Sequence, residues 1–311
     1  MNTFVTHRKN RKTMIQKSFQ YYLYAAAAIG TIALFASYSE SKPSNDPLPQ
    51  VIRAVSLEKT FSFAGEKLPT ENFDVRERLE RELLTTSYQH ATTLLSLKKA
   101  ARYFPLFQKV FQENGIPADF KYMAVAESNL NNVVSSAGAR GIWQFMSSAA
   151  AFYGLEVNEE VDERYHPEKA TNAAARFIKD HYKRFGNWTL TAAAYNVGGT
   201  RIAKELENQS VKSYYDLQIN DETSRYVFRL LAYKEIFEHP EMYGYYLEDE
   251  DGYKELGSYK MVDVATPIPS LAQFAKEQGT TYRMLKLYNP WLISSKLSNP
   301  TKKIYAIKIP Q

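Results

Sequence analysis

The chain contains no cysteine. Disulfides and thiolate-bound zinc are therefore excluded, and the compartment cannot be read from thiols. Histidine is scarce. His7, His90, His166, His181 and His239 show no spacing of the His-x-x-x-His kind, so neither a metal nor a cofactor is expected. Charge is nearly balanced, with a net of +5. An excess this weak and scattered, with no basic–aromatic motif, does not point to nucleic acid. It fits a polyanionic surface such as a cell wall or a membrane. Between residues 72 and 240 there is no strand-period repeat, which excludes a sheet-based core for that block.

What the chain does have is length and apolar content. Its 311 residues are 44% hydrophobic and 14% aromatic, enough for one large or two smaller domains. The 23 tyrosines and 17 phenylalanines suit stacking on sugar rings, although core filling accounts for most of them.

Residues 1–20 form a basic tail with Arg8, Lys9, Arg11, Lys12 and Lys17 and no acid. Residues 21–37, YYLYAAAAIGTIALFAS, are uncharged and about as short as a bilayer-spanning helix can be. The basic flank places the tail in the cytoplasm and everything after the span outside it. A cleaved signal peptide is the competing reading. Phe35 and Tyr38 stand where small residues would mark a cleavage site, which favours an uncleaved anchor. No cysteine follows, so a lipid anchor is ruled out.

Residues 38–71 read as a tether, with Pro43, Pro47 and Pro49 preventing regular structure at its start. Val51–Phe63 alternates weakly, as a short strand or an extended arm lying on the domain would. From Asn72 the period becomes helical. Phe73, Val75, Leu79, Leu83 and Leu84 mark one amphipathic helix. Leu94, Leu95 and Leu97 lead to another element. Tyr103–Phe111 forms a further helix, ended by Asn114-Gly115. Helices are also expected over 171–185, 188–197 and 224–237, so residues 72–240 form an all-helical domain. His181 falls on an apolar stripe and reads as a packed core-edge histidine. Residues 241–258, with acids from Glu248 to Asp251 between glycines, read as a linker. Residues 259–311 then run strand, helix, helix, strand, a small α+β module. The fold class is mainly α with this βααβ unit at the end.

One carboxylate stands in an expensive place. If residues 118–127 are helical, then at about 100° per residue Phe120, Met123, Ala124 and Glu127 share a stripe. Three of these are apolar and face a core. A carboxyl group at the end of that stripe is half desolvated, which raises its pKa toward the range of a general acid. A helix-end glutamate turned to solvent is the bland alternative, and the spacing alone leaves both open.

Four segments change the balance. They are Glu127-Ser128, then Gly138-Ala139-Arg140-Gly141-Ile142-Trp143-Gln144-Phe145, then Ala193-Ala194-Tyr195-Asn196-Val197-Gly198-Gly199, then Glu222-Thr223-Ser224-Arg225-Tyr226-Val227. In this order, over residues 72–237, they resemble the lytic transglycosylase catalytic domain, the goose-type-lysozyme-like family that cleaves peptidoglycan. The second segment is most similar to the membrane-bound D-type branch. Val197 in place of a small residue, and the additional Gly199, are small departures. The resemblance implies a lysozyme-like helical domain with Glu127 as its lone acid/base. It implies that Ser128 orients the reacting sugar, that Gln144, Tyr195 and Asn196 line the cleft, and that the Tyr226 hydroxyl sits near Glu127. Gly138 and Gly141 permit positive φ and close approach to a bulky glycan. Trp143 is either a sugar platform or a core anchor, and Arg140 reads as solvent-exposed.

Most glycosidases pair an acid with a second carboxylate. Asp119 lies off the stripe, and Glu156 and Asp162 fall in a loop. The resemblance implies that none is needed: the substrate's N-acetyl group and its C6 hydroxyl complete the reaction as a 1,6-anhydro ring. Residues 270–290 and 304–310, SLAQFAKEQGTTYRMLKLYNP and IYAIKIP, resemble the LysM module, a glycan-binding unit. Its first loop departs from that pattern at Val264–Pro269, which leaves glycan binding and structural packing both open for the module. The expectation is therefore an envelope enzyme on the periplasmic side. It is held to the membrane by residues 21–37 and acts on peptidoglycan glycan strands.

Overall fold

A computed structural model describes residues 53–311. The expected span at 21–37 lies outside the described residues. Among the described residues, no helix is long and apolar enough to cross a membrane.

Eight α-helices build the first block. They are α1 (Phe73–Ser87), α2 (His90–Asn114), α3 (Lys121–Ser128), α4 (Ser147–Phe152), α5 (Pro167–Phe185), α6 (Trp188–Val197), α7 (Gly199–Asn208) and α8 (Asp221–Glu238). Local chemistry sets their ends. The Asn72 side chain caps α1 by accepting from the Asp74 amide, and Asn187 caps α6 by accepting from the Leu190 amide. Pro167 opens α5, where its missing N–H costs nothing, and Gly186 closes it in the left-handed conformation. The expected elements around Leu94 and Tyr103–Phe111 are one helix, α2, which continues through Pro105. α4 and α7 are too short or too polar for their periodicity to stand out in the sequence.

α8 is the central helix and packs against α1, α3 and α6. Val75, Leu79 and Leu83 of α1 are fully buried, as are Val227, Leu230 and Leu231 of α8. Charge fixes their register. The buried Glu82 of α1 accepts from Arg225 Nε at 2.6 Å and from Arg229 Nε at 3.4 Å, both on α8.

The stretch expected to be a tether is part of the core from residue 57 onward. Leu57, Phe61, Phe63 and Leu68 are buried. A tight hairpin pairs β1 (Ser62–Phe63) with β2 (Glu66–Lys67) and seats Phe63 against Phe120, ring centroids 5.2 Å apart. Glu66 then caps α6, accepting from the Trp188 and Thr189 amides at 2.6 and 2.9 Å, where a helix N-terminus favours negative charge. The linker segment is also laid down on the block. The Tyr245 hydroxyl donates to Ser87 O at 2.6 Å, and the Tyr253 amide donates to Lys98 O at 2.7 Å.

The C-terminal unit is the expected βααβ module. β3 (Tyr259–Val264) pairs antiparallel with β4 (Tyr305–Pro310), from Tyr259↔Pro310 to Val264↔Tyr305. α9 (Leu271–Glu277) and α10 (Tyr282–Tyr288) cover it, with Leu271, Ala275, Leu285, Ile307 and Ile309 fully buried. Val161, from the helical block, joins this second core.

The Glu82 clamp makes a stability prediction. Glu82→Gln leaves two arginines without their shared carboxylate. Removing one member of a fully buried ion pair costs about 3–5 kcal/mol, and these guanidiniums are partly exposed, so a loss of about 2–3 kcal/mol is expected. Urea unfolding should show a lower midpoint at unchanged slope. A loss below about 0.5 kcal/mol, the range of ordinary surface changes, would contradict the role assigned to the clamp.

Candidate active site

α3 ends at Ser128, and Asn129 turns the chain in the left-handed conformation, φ 49°. Glu127 is therefore the last-turn residue on the face that also carries the fully buried Phe120, Met123 and Ala124. Its carboxyl is partly buried, and Tyr226 of α8 donates a hydrogen bond to its Oε1 at 2.6 Å. Burial pushes the Glu127 pKa from its ordinary 4.5 up to about 7. The Tyr226 hydrogen bond and the Arg229 charge act the other way, and the Glu222 charge adds to the rise. Burial outweighs the rest, because the ionised form loses its hydration and gains one donor. Burial and the Glu127 charge also raise the Tyr226 and Tyr195 phenols well above their ordinary value, so both remain donors at neutral pH.

The loop after α3 is fastened beside them. Ser128 is buried, and its hydroxyl is engaged with backbone carbonyls, Ile142 O at 2.8 Å and Ala124 O at 3.0 Å. It fastens the loop to the helix that carries Glu127. Tyr195 of α6 donates to Trp143 O at 2.8 Å, a second fastening of the same loop. Gln144 stands at φ 50°, and its side-chain amide donates to Gly141 O at 2.7 Å and Val133 O at 3.2 Å. Asn196 lies beside the head of α8: its Oδ1 accepts from Thr223 Oγ1 at 2.8 Å, and its Nδ2 reaches Glu222 at 3.5 Å. Glu127, Tyr226, Tyr195 and the Gln144 loop are thus brought together. Asn196 joins them through Glu222.

Trp143 is a core anchor and not a sugar platform. Its ring is fully buried against Phe107 at 4.9 Å and Phe111 at 5.7 Å, and its Nε1 donates to Thr171 at 3.0 Å. Gly141 is required by a contact within the protein: at φ 81°, a Cβ there would lie 2.0 Å from Arg164 O. Gly138 has open space around it at φ 86°. His181 is the expected core-edge histidine, 4.6 Å from the Phe177 ring, and burial lowers its pKa to about 4.

The carboxylates weighed as partners for Glu127 are engaged elsewhere. Asp119 binds Lys234 and the Ala64 amide, Asp162 pairs with Arg164 and Arg140, and Glu156 meets Tyr305 of the module. The carboxylate whose charge reaches Glu127 is the exposed Glu222, which opens the fourth motif and was not singled out from the sequence. Arg164 was also missed. Its ion-pair partner Asp162 is a neighbour in the sequence, but the carbonyls it holds, Phe145 O and Gly138 O, lie 19 and 26 residues away. Among the described residues, no group of three or more His, Asp or Glu could hold a metal ion.

With this geometry in hand, known proteins supply context. Residues 105–218 match the Transglycosylase SLT domain family, and residues 260–311 match the soluble lytic transglycosylase C-terminal LysM-like domain family. The chain is 28% identical over 246 residues to the membrane-bound lytic murein transglycosylase D of Escherichia coli K12, covering 76% of this chain and 53% of that protein. It is 34% identical over 134 residues to the peptidoglycan transglycosylase gp16 of Escherichia phage T7, covering 42% of this chain and 10% of that one. The chain thus spans about half the length of the Escherichia coli relative that it matches. Among solved structures, the 70 kDa soluble lytic transglycosylase of Escherichia coli aligns at a TM-score of 0.39 and 23% identity, over 49% of this chain and 27% of that one.

The raised pKa has a stability consequence. A carboxyl group whose folded pKa lies above its unfolded value favours the fold while protonated. That contribution is complete below about pH 4.5 and is lost as pH climbs through about 7. Glu127→Gln removes the titration, so it should be more stable than wild type at pH 8 by up to about 3 kcal/mol, with the gap closing by pH 4.5. Thermal melts at the two pH values check this. An equal gap at both would contradict it.

Proposed function

We propose that this chain, which carries an SLT transglycosylase domain followed by a LysM-like domain, is a peptidoglycan lytic transglycosylase. It cleaves the β-1,4 bond between N-acetylmuramic acid and N-acetylglucosamine without water and leaves 1,6-anhydro-N-acetylmuramic acid ends. The observation that supports this reading most is a single carboxyl group, Glu127, poised near neutral pKa against the Tyr226 phenol.

The reaction asks one group to give a proton and then take one back. Protonated Glu127 donates to the glycosidic oxygen, and the C1–O bond breaks as the N-acetylglucosamine hydroxyl leaves. The neighbouring acetamido oxygen of the substrate stabilises the anomeric carbon. Glu127, now a carboxylate, accepts the proton of the C6 hydroxyl. That oxygen bonds to C1 and closes the anhydro ring, which returns Glu127 to its acid form with no water consumed. A group serving both steps works best with its pKa near ambient pH, where neither form is scarce. Tyr226 supplies a fixed donor to the carboxylate between the steps. Gln144, Tyr195 and Asn196 line the cleft in this reading. The enzyme acts on glycan strands in the cell envelope, on the periplasmic side, anchored through residues 21–37.

A second reading rests on Glu222. An exposed carboxylate whose field reaches Glu127 is the group a hydrolase would use to activate water. The products separate the two. Digestion of purified sacculi followed by mass spectrometry should yield muropeptides one water lighter than the reducing-end forms. Reducing ends would instead establish hydrolysis. Glu127→Gln should lose about 10²–10⁴-fold in rate, the span of general acid–base catalysis, and retention of full activity would sink the assignment.

A further inference from the structure

The C-terminal module is not a separate unit on a loose leash. The segment 156–168 of the helical block serves as its dock, and the same segment fastens the loop beside Glu127. On the outer side, backbone pairs with backbone. The Asp162 amide donates to Trp291 O at 2.9 Å, the Ile293 amide donates to Glu160 O at 3.0 Å, and Val161 bridges to Leu292. Charge matches across the junction: Lys303 pairs with Glu156 and Glu163, and Lys308 with Glu168. His166 stacks on Trp291 with ring centroids 5.7 Å apart.

On the inner side, Arg164 is 4% exposed and grips Asp162 with two hydrogen bonds, Nε to Oδ1 at 2.8 Å and Nη2 to Oδ2 at 2.7 Å. Its remaining terminal nitrogen points at the cleft-wall loop and donates to Phe145 O at 3.2 Å and Gly138 O at 3.4 Å. Those carbonyls are the two ends of the Gly138–Phe145 loop. Between them stand Ile142 and Trp143, whose carbonyls receive Ser128 and Tyr195. A buried guanidinium holding a loop at both ends is a rigid clamp, since its five donors leave a fixed plane.

We infer that Asp162 and Arg164 are positioning residues for the reaction proposed above, and that the docked module holds them, so that the catalytic unit includes the LysM-like module. This rests on that functional reading. The module acts on Glu127 through the chain Trp291–Asp162–Arg164–loop, and it does so whether or not it also binds glycan.

Two variants of the full chain test the inference on sacculi, with hydrogen exchange measured alongside. Lys303→Glu/Lys308→Glu sets like charges against Glu156, Glu163 and Glu168, which should free the module. The Asp162 and Ile293 amides, bonded across the junction, report that release. The expected result is faster exchange at these amides and at residues 140–145, with kcat down about 10-fold or more and KM within about twofold, as a small misplacement of a catalytic wall requires. Arg164→Lys cuts the inner link while leaving the dock, and should lower kcat and speed exchange in the loop without releasing the Ile293 amide. The inference is overturned if the module is released while loop exchange and kcat stay at wild-type values, or if Arg164→Lys retains wild-type kcat. An inactive wild-type chain would count against the transglycosylase reading instead. The exchange data would still decide whether the module holds the loop.

Discussion

The site depends on one compromise: a carboxyl group is taken far enough out of water to hold its proton near neutrality, yet stays within 2.6 Å of a phenol that can support its charge. Either influence alone would defeat the chemistry. Burial without Tyr226 leaves a carboxylate too costly to form, and Tyr226 without burial leaves a carboxyl ionised before it meets substrate. The proposed reaction uses both protonation states of Glu127 in turn, so the balance between these two effects is the quantity the fold has to control.

Much of the remaining structure maintains that balance from a distance. α3 and α8 must sit in one relative register for the phenol to reach the carboxyl. Glu82 fixes α8 against α1 by holding Arg225 and Arg229, which flank Tyr226 in the sequence. Arg229 itself lowers the Glu127 pKa, so the Glu82 bond also fixes where that opposing charge stands. Glu66 caps the helix that presents Tyr195, and Arg164 ties both ends of the loop that Tyr195 and Ser128 hold. Each is a buried or half-buried ionic group with specific partners. Such groups are costly to bury and expensive to leave unpaired, which is why they specify geometry more than they add stability.

What the sequence disclosed follows from the range of each signal. The stripe Phe120, Met123, Ala124 and Glu127 was legible because helical period is local, and it correctly implied a half-buried carboxyl. The βααβ module was legible for the same reason. Tyr226 near Glu127 followed only from resemblance, since 99 residues separate them. The burial of Leu57, Phe61, Phe63 and Leu68 was not legible, because short apolar residues after a proline-rich stretch carry no period of their own. The fate of Trp143 was not legible either, since a tryptophan suits a sugar or a core equally well. Arg164 was not legible because its pairing with Asp162, two residues away, reads as an ordinary loop charge pair, and the loop carbonyls it also holds are backbone atoms that any sequence supplies.

The central claim is that Glu127 is a neutral-pH acid by virtue of its setting. It is tested most directly by following the Glu127 side-chain carboxyl carbon by NMR across a pH titration, with Glu127→Gln identifying the resonance. The account predicts a midpoint near 7, moving higher in Tyr226→Phe, where the supporting hydrogen bond is removed. A midpoint near the ordinary 4.5, unmoved by Tyr226→Phe, would contradict it.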